Sequence, residues 1–311
     1  MLSALGLFFL APLLGEYLLG NISIRHIAGL IVLAPMYGGG ALLIREAARQ
    51  TGRGWPTMAL LALAYGIAEP ALFDRSLFNM SFDGRDFQDA TYIPLFGISV
   101  SNTIAFCVGH AVWSISVPIA IIESLAPNRR MMPWVGPFGL FVTCALFMAG
   151  VYMIFQDHVK TEHFLPSTMQ LVVSAIVVLG FIVAAFAVRR KQLIRTNLQA
   201  PNKWLVGATS FAISSLFFVL GESWWSVVVK ILLLGLMIGL VINWSKRSGW
   251  RLRHQVALTG GLLLTYVWGG FLCSTLVGNT AAIDRVGNSV FAISGVILLL
   301  LAVRQSHRIA E

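Results

Sequence analysis

Ten apolar stretches, each of a length to cross a bilayer, follow one another at roughly residues 4–20, 27–45, 56–73, 97–125, 134–156, 167–188, 203–220, 223–244, 254–277 and 286–303. The hydrocarbon core of a bilayer takes about 20 apolar residues of helix, and backbone inside it must satisfy its own hydrogen bonds. The pattern therefore predicts an all-α, polytopic transmembrane helix bundle of about ten spans. Ten spans in 311 residues leave no room for a separate aqueous domain, so residues 1–311 read as a single integral membrane domain. Charged residues make up only 11% of the chain, against about 25% in a soluble domain, which excludes a soluble enzyme. A mean hydropathy of +0.80 excludes a disordered chain. The first stretch has neither a basic leader nor a small-residue cleavage site and is expected to be a span rather than a signal peptide.

The net charge of +9 comes from 22 Lys and Arg against 13 Asp and Glu. Sixteen of those 22 fall in the connections after spans two, four, six and eight and at the C-terminus: Arg45, Arg49 and Arg53; Arg129 and Arg130; Arg189, Arg190, Lys191, Arg195 and Lys203; Lys246, Arg247, Arg251 and Arg253; and Arg304 and Arg308. Arg25, Arg75, Arg85, Lys160 and Arg285 fall on the other side. Basic residues accumulate in cytoplasmic loops, so the sequence predicts a bacterial cytoplasmic (inner) membrane protein with both termini cytoplasmic. The same bias accounts for the positive charge without a nucleic-acid partner; the expected partner is the lipid bilayer.

Cys107, Cys144 and Cys273 lie far apart in apolar stretches and are expected to be small buried residues rather than a disulfide or zinc framework. The acidic connection of about residues 74–96 carries Asp74, Asp83, Asp86 and Asp89 among Phe78, Phe82, Phe87 and Tyr92. A solvated loop is the favoured expectation for it, a lid over the helix ends the alternative. Gly38-Gly39-Gly40 in span two, and Gly260-Gly261 and Gly269-Gly270 in span nine, suit close helix packing or an unwound segment of the transporter kind.

Ionisable residues at membrane depth are costly and usually face a bundle interior or a watery cavity. Glu16 on span one, Glu69 before Pro70 on span three, His110 on span four and Lys230 on span eight meet that description. At about 1.5 Å of rise per residue, Glu16, Glu69 and Lys230 share the outer half and His110 lies near the midplane. Asn102, Phe106, His110 and Ser114 recur every fourth residue, a polar stripe on one face of span four, with Pro118 expected to kink the helix below. Glu123 is expected to form an interfacial ion pair beside Arg129 and Arg130. Glu16, Glu69, Asn102, His110, Ser114 and Lys230 are therefore the candidate substrate-binding residues. No Walker-type phosphate loop occurs, His158 and His163 with Asp157 and Glu162 suit solvated positions better than metal ligands, and no cofactor or metal site is expected.

Two segments resemble parts of the glutamate-dependent intramembrane protease superfamily that includes the CPBP (CAAX prenyl endopeptidase-like) and PrsW families. The run Tyr65-Gly66-Ile67-Ala68-Glu69-Pro70-Ala71-Leu72-Phe73-Asp74-Arg75 resembles the EExxxR helix, and Phe106 with His110 matches FxxxH. By that resemblance Glu69 would be the catalytic base and His110 its partner. Pro70 stands where the second glutamate would be, Arg75 comes one residue late, and the later HxxxN element has no counterpart.

Three functions remain open. A small-solute transporter or permease, with proton coupling through the acids as one form of it, is favoured by the compact spans, the outer-half acids and the mid-membrane glycines. A CPBP/PrsW-like protease, intact or degenerate, is the enzyme alternative, and an accessory subunit of a membrane complex is the third.

Overall fold

Apolar runs of this length can satisfy their backbone in a bilayer only as helices, and the computed structural model, which describes residues 1–86, 90–188 and 196–308, is an all-α bundle. Helix α1 (Leu2–Pro12) continues as a π-helical turn, Leu13–Leu18. A short 3-10 segment, Ile24–Gly29, leads into α2 (Leu30–Gln50). Helix α3 (Trp55–Ala68) continues as a second π-turn, Glu69–Phe73. A small hairpin of β1 (Tyr92–Ile93) and β2 (Ile98–Ser99) precedes the fourth span. That span consists of α4 (Val100–Gly109), a π-segment His110–Ser116 and α5 (Val117–Leu125). Then come α6 (Pro137–Glu162), α7 (Thr168–Ala187), β3 (Thr196–Gln199), α8 (Lys203–Val219), α9 (Trp224–Ser245), β4 (Arg247–Ser248), α10 (Leu252–Leu276) and α11 (Ala282–Arg308). Side-chain oxygens start several of these helices, as where Ser167 and Gln170 form a reciprocal capping box on α7.

Eight of these helices are long and apolar enough to cross a membrane, and Leu2–Leu18 and Lys203–Val219 are shorter apolar helices. All ten expected spans are thus helical. At about 1.5 Å per residue, the 17 residues of α8 reach about 26 Å, close to the hydrocarbon thickness. Burial separates an inner set from an outer one: 61% of the spanning window of α3 is buried, and only 11% of that of α7. Large apolar side chains such as Phe138, Phe141, Met148, Val183, Leu232 and Ile238 lie exposed on α6, α7 and α9, as a lipid-facing surface requires. Cys144 is exposed among them rather than buried, because α6 turns that face outward.

The glycines pack helices and do not unwind them. Helix α2 runs unbroken through Gly38-Gly39-Gly40, and α10 through both of its glycine pairs. A Cβ on Gly38 would strike the Phe8 carbonyl of α1, one on Gly40 would strike the Tyr65 ring of α3, and one on Gly270 would strike the Leu18 carbonyl. Backbone approach of this kind is what small residues permit in membranes. The irregular backbone lies instead in the three π-segments, each beside a proline: Pro12 before the first, Pro70 within the second and Pro118 just after the third. Proline lacks an N–H and crowds the carbonyl four residues back, and widening the helix relieves that crowding. The bend expected near Pro118 thus takes the form of a π-segment ahead of it.

At the end of the bundle where α2 meets the α5–α6 connection, Glu123 does not pair with Arg129 or Arg130. It binds Arg49 through two nitrogens, at 2.7 and 2.9 Å, and Arg45 at 3.1 Å. Arg45 also pairs with Glu46, donates to the carbonyls of Arg129, Arg130 and Met132, and stacks 3.4 Å from the Trp134 ring. Glu46 accepts the backbone N–H groups of Trp134 and Val135. Arg45 and Arg49 are therefore buried members of α2, not loop charges, because buried carboxylates there neutralise them. Arg189, Arg190, Lys191, Arg195, Phe87 and Asp89, which the sequence placed in connections, lie outside the described residues.

Candidate functional site

Each of the three π-segments carries one of the ionisable residues that the apolar pattern does not explain: Glu16, Glu69 and His110. A π-turn shifts side chains off the regular helical register, and such turns are frequent at functional sites. Here the three converge. His110 Nε2 lies 2.9 Å from Glu69 Oε2. The Tyr37 hydroxyl, from the middle of α2, lies 2.9 Å from Glu69 Oε1 and 2.6 Å from Glu16 Oε1. Asn21 donates to Glu16 Oε2 at 2.8 Å, and Ser114 Oγ is 3.3 Å from His110 Nδ1. The result is a continuous polar chain, Asn21–Glu16–Tyr37–Glu69–His110–Ser114, across four spans.

Close backbone packing makes this possible. A Cβ on Gly15 would collide with Ser114 Oγ, and one on Gly66 would collide with the Cys107 carbonyl, so α1 and α3 come up tight against the fourth span. Glu69 is 2% exposed and Glu16 6%. The contact of His110 with Glu69 is short but off the line of the ring N–H, which leaves Oε2 without an aligned hydrogen bond. The Tyr65 hydroxyl, one turn earlier on α3, is also buried without a hydrogen-bond partner.

Proton counting follows from Tyr37. A phenol has one hydrogen to donate, yet this hydroxyl is within hydrogen-bond distance of two carboxyl groups. Two ionised carboxylates cannot both be served by it. The phenol can donate to one of them at a time, and a hydrogen bond in the second contact needs a proton on Glu16 or Glu69.

A cavity of about 550 Å³ runs from Glu16, Glu69 and His110 to the surface between the loop after α3 and the last turns of α6. Tyr37, Phe106 and Tyr266 form part of its wall, with Tyr266 held flat on Trp113, ring centroids 4.5 Å apart. The acidic loop over its mouth is not simply solvated. Arg75, Ser76, Leu77, Phe78 and Asn79 are buried, Asn79 donates to Glu162 of α6, and Arg85 reaches the Val277 carbonyl beyond α10. Arg75 packs over the Phe155 ring and donates to the Phe155 carbonyl, so the loop's first half is anchored between helices. Among its described residues, Met80, Ser81, Asp83, Gly84 and Asp86 are exposed, with Asp83 paired to Arg85, and so are Pro94, Leu95 and Phe96 at the hairpin turn. Asp74, just beyond the third span, lines the cavity. Burial pushes its carboxyl well above the ordinary carboxylate range, and the Glu69 carboxylate adds to the rise.

The remaining candidates divide. Ser114 and Phe106 line the cavity with His110. Asn102, on the same stripe, is buried two turns before His110 and is not part of that wall. Lys230 faces elsewhere: it donates to Ser101 Oγ at 3.0 Å in the seam between α9 and α4, near the Phe217 ring. Tyr37, which the ionisable-residue reading passed over, occupies the centre of the chain. Its signal was a hydroxyl in mid-span directly before three glycines.

The scan against family models matches residues 5–306 to one described as an uncharacterized membrane protein family. No curated protein and no solved structure matches the chain. None of the comparisons carries the resemblance of residues 65–114 to the CPBP and PrsW segments. With its model matched over nearly the whole chain, this protein belongs to that uncharacterized membrane protein family.

Proposed function

We propose that the protein is a proton-coupled permease for a small solute, lying in a bacterial cytoplasmic membrane with both termini cytoplasmic and the cavity open to the outside. The observation that carries this reading is the Tyr37 hydroxyl shared between Glu16 and Glu69, an arrangement suited to holding one exchangeable proton at the floor of an open cavity. Asn102 and Lys230 then serve the packing of the bundle, and Glu16, Glu69, His110 and Ser114 serve the solute and the proton. At the opposite end of the bundle the Arg45–Glu46–Arg49–Glu123 network ties α2 to α5 and the connection after it, which suits a carrier open to one side.

The test uses proteoliposomes loaded with a pH-reporting dye. Amines, amino acids and carboxylates are added in turn, and at least one class should drive proton movement through the wild-type protein. Glu69→Gln and Tyr37→Phe should abolish that signal while both variants still insert. If no class gives a signal above empty vesicles, the permease reading fails.

The 2.9 Å approach of His110 to Glu69 favours a second reading, in which Glu69 acts as a general base on water with His110 assisting. Hydrolysis of a co-expressed membrane peptide would then be lost in Glu69→Gln and His110→Ala but retained in Glu16→Gln. Equal cleavage by wild type and the first two variants would remove this reading.

A further inference from the structure

The wall of the cavity has a marked charge asymmetry. Glu16, Glu69, Asp74, Asp83, Asp157 and Glu162 all contribute to it. Among the described residues, Arg85, paired with Asp83, is the one Lys or Arg on that wall, which also holds the imidazoles of His158 and of His110, the latter beside Glu69. A cleft lined by one sign of charge within low-dielectric walls concentrates ions of the opposite sign. An anionic solute would have to pass this wall unaided.

A cluster of acids alone would not define a site, but Glu69 adds an independent observation. Its side chain is 2% exposed and lines the cavity, and Oε2, although 2.9 Å from His110 Nε2, has no aligned hydrogen-bond donor. A buried carboxylate oxygen left in that state favours a ligand that brings its own N–H. Around it the wall is aromatic, with Tyr37, Phe82, Phe106 and Tyr266. Aromatic faces attract cations, most strongly where water is excluded. A volume of about 550 Å³ falls within the range typical of small-molecule sites.

We propose that the cavity binds a small organic ammonium ion, its N–H donating to Glu69 Oε2 and its apolar body resting against the aromatic wall. The inference rests on the permease reading for the direction of proton movement, though not for binding itself. The ion brings one positive charge to the Glu16–Tyr37–Glu69 group, and the shared proton leaves to solvent, so the charge of the site is unchanged. Proton and ammonium ion are therefore alternative occupants, and the exchange is one for one.

Three isosteric probes separate the possibilities: benzylammonium, benzyl alcohol and benzoate, titrated into the purified full-length protein in detergent by calorimetry. Benzylammonium should bind at least tenfold more tightly than either of the others, with release of a proton into weakly buffered solution. Glu69→Gln should weaken it at least tenfold, and Glu16→Gln should abolish the proton release; Arg304→Gln, remote from the cavity, should change neither. A thermal unfolding curve for each variant shows that it is folded. Benzoate or benzyl alcohol binding as well as benzylammonium, no benzylammonium binding, or unchanged affinity in folded Glu69→Gln would each overturn the proposal. The two readings fail separately. Binding of benzylammonium without solute-driven proton flux in vesicles would contradict the permease and leave the ammonium site standing. Flux driven by carboxylates alone would do the reverse.

Discussion

Helix α2 contributes to two buried polar clusters only eight residues apart, about 12 Å along its axis, and the two are built on opposite plans. At one end, Arg45, Glu46, Arg49 and Glu123 form a network in which each carboxylate meets guanidinium or backbone N–H groups. In mid-span, Tyr37 joins Glu16, Glu69 and His110 in a chain where one phenolic hydrogen faces two acids, with an oxygen without an aligned donor and a cavity beside it. Buried charges that are fully paired hold a structure together, and removing one partner strands the rest. Partly satisfied polar groups beside a cavity keep capacity for something else. Burial alone does not distinguish the clusters, since Glu123 is 3% exposed and Glu69 2%. Saturation does.

The largest expected effect breaks the saturated cluster. Glu123→Gln leaves Arg45 and Arg49 buried without their shared anion and should cost about 3–5 kcal/mol, seen as a large fall in the melting temperature and loss of monodispersity in detergent. Glu69→Gln, equally buried, should stay within about 1 kcal/mol of wild type, because an amide can still accept from Tyr37 and donate toward the cavity. Equal losses from the two substitutions would erase the distinction. An intermediate effect is expected from Tyr37→Phe. It leaves two carboxyl groups without their common partner, at about 1–3 kcal/mol, and a double-mutant cycle with Glu16→Gln should show clear coupling, whereas a cycle with Glu123→Gln should be additive.

The smallest effect concerns Asp74 at the rim of the unsaturated region. Its carboxyl is raised in the folded state, so the folded protein binds more protons than the unfolded one once pH exceeds the ordinary carboxylate range. Stability contributed through Asp74 is therefore present in acid and declines as pH rises toward the folded value, then levels off. Asp74→Asn should flatten that decline, and its melting temperature should gain on wild type as pH increases. A gain confined to acid pH would contradict the assignment.

How much of this the sequence discloses depends on the physical signal. All ten spans were legible because an apolar run of that length admits one backbone solution in lipid. Their ends were not: α2 continues past residue 45 to Gln50 and α6 past residue 156 to Glu162, since charged residues that find partners can stay helical. Glu16, Glu69 and His110 stood out because ionisable groups at depth are costly. Lys230 stood out equally and lies on another face, because residue counting gives depth along a helix and says nothing about direction around the bundle. Tyr37 was missed because a tyrosine in an apolar run looks like packing. The glycines pack helices, the favoured of their two expectations, and the irregular backbone stands beside Pro12, Pro70 and Pro118 instead; Pro35, inside an unbroken α2, shows that proline alone does not determine it.

The proposed permease turns on one proton held between Glu16 and Glu69, at the floor of a cavity that water can enter. Infrared difference spectroscopy of the protein in lipid, stepped from neutral to alkaline pH in light and heavy water, measures it through the carbonyl stretch of a protonated carboxyl. Wild type should show at neutral pH a deuterium-sensitive band that disappears in Glu16→Gln/Glu69→Gln and changes in Tyr37→Phe, while Glu123→Asp leaves it intact. The same band persisting in the double variant, or none in wild type, would contradict the claim.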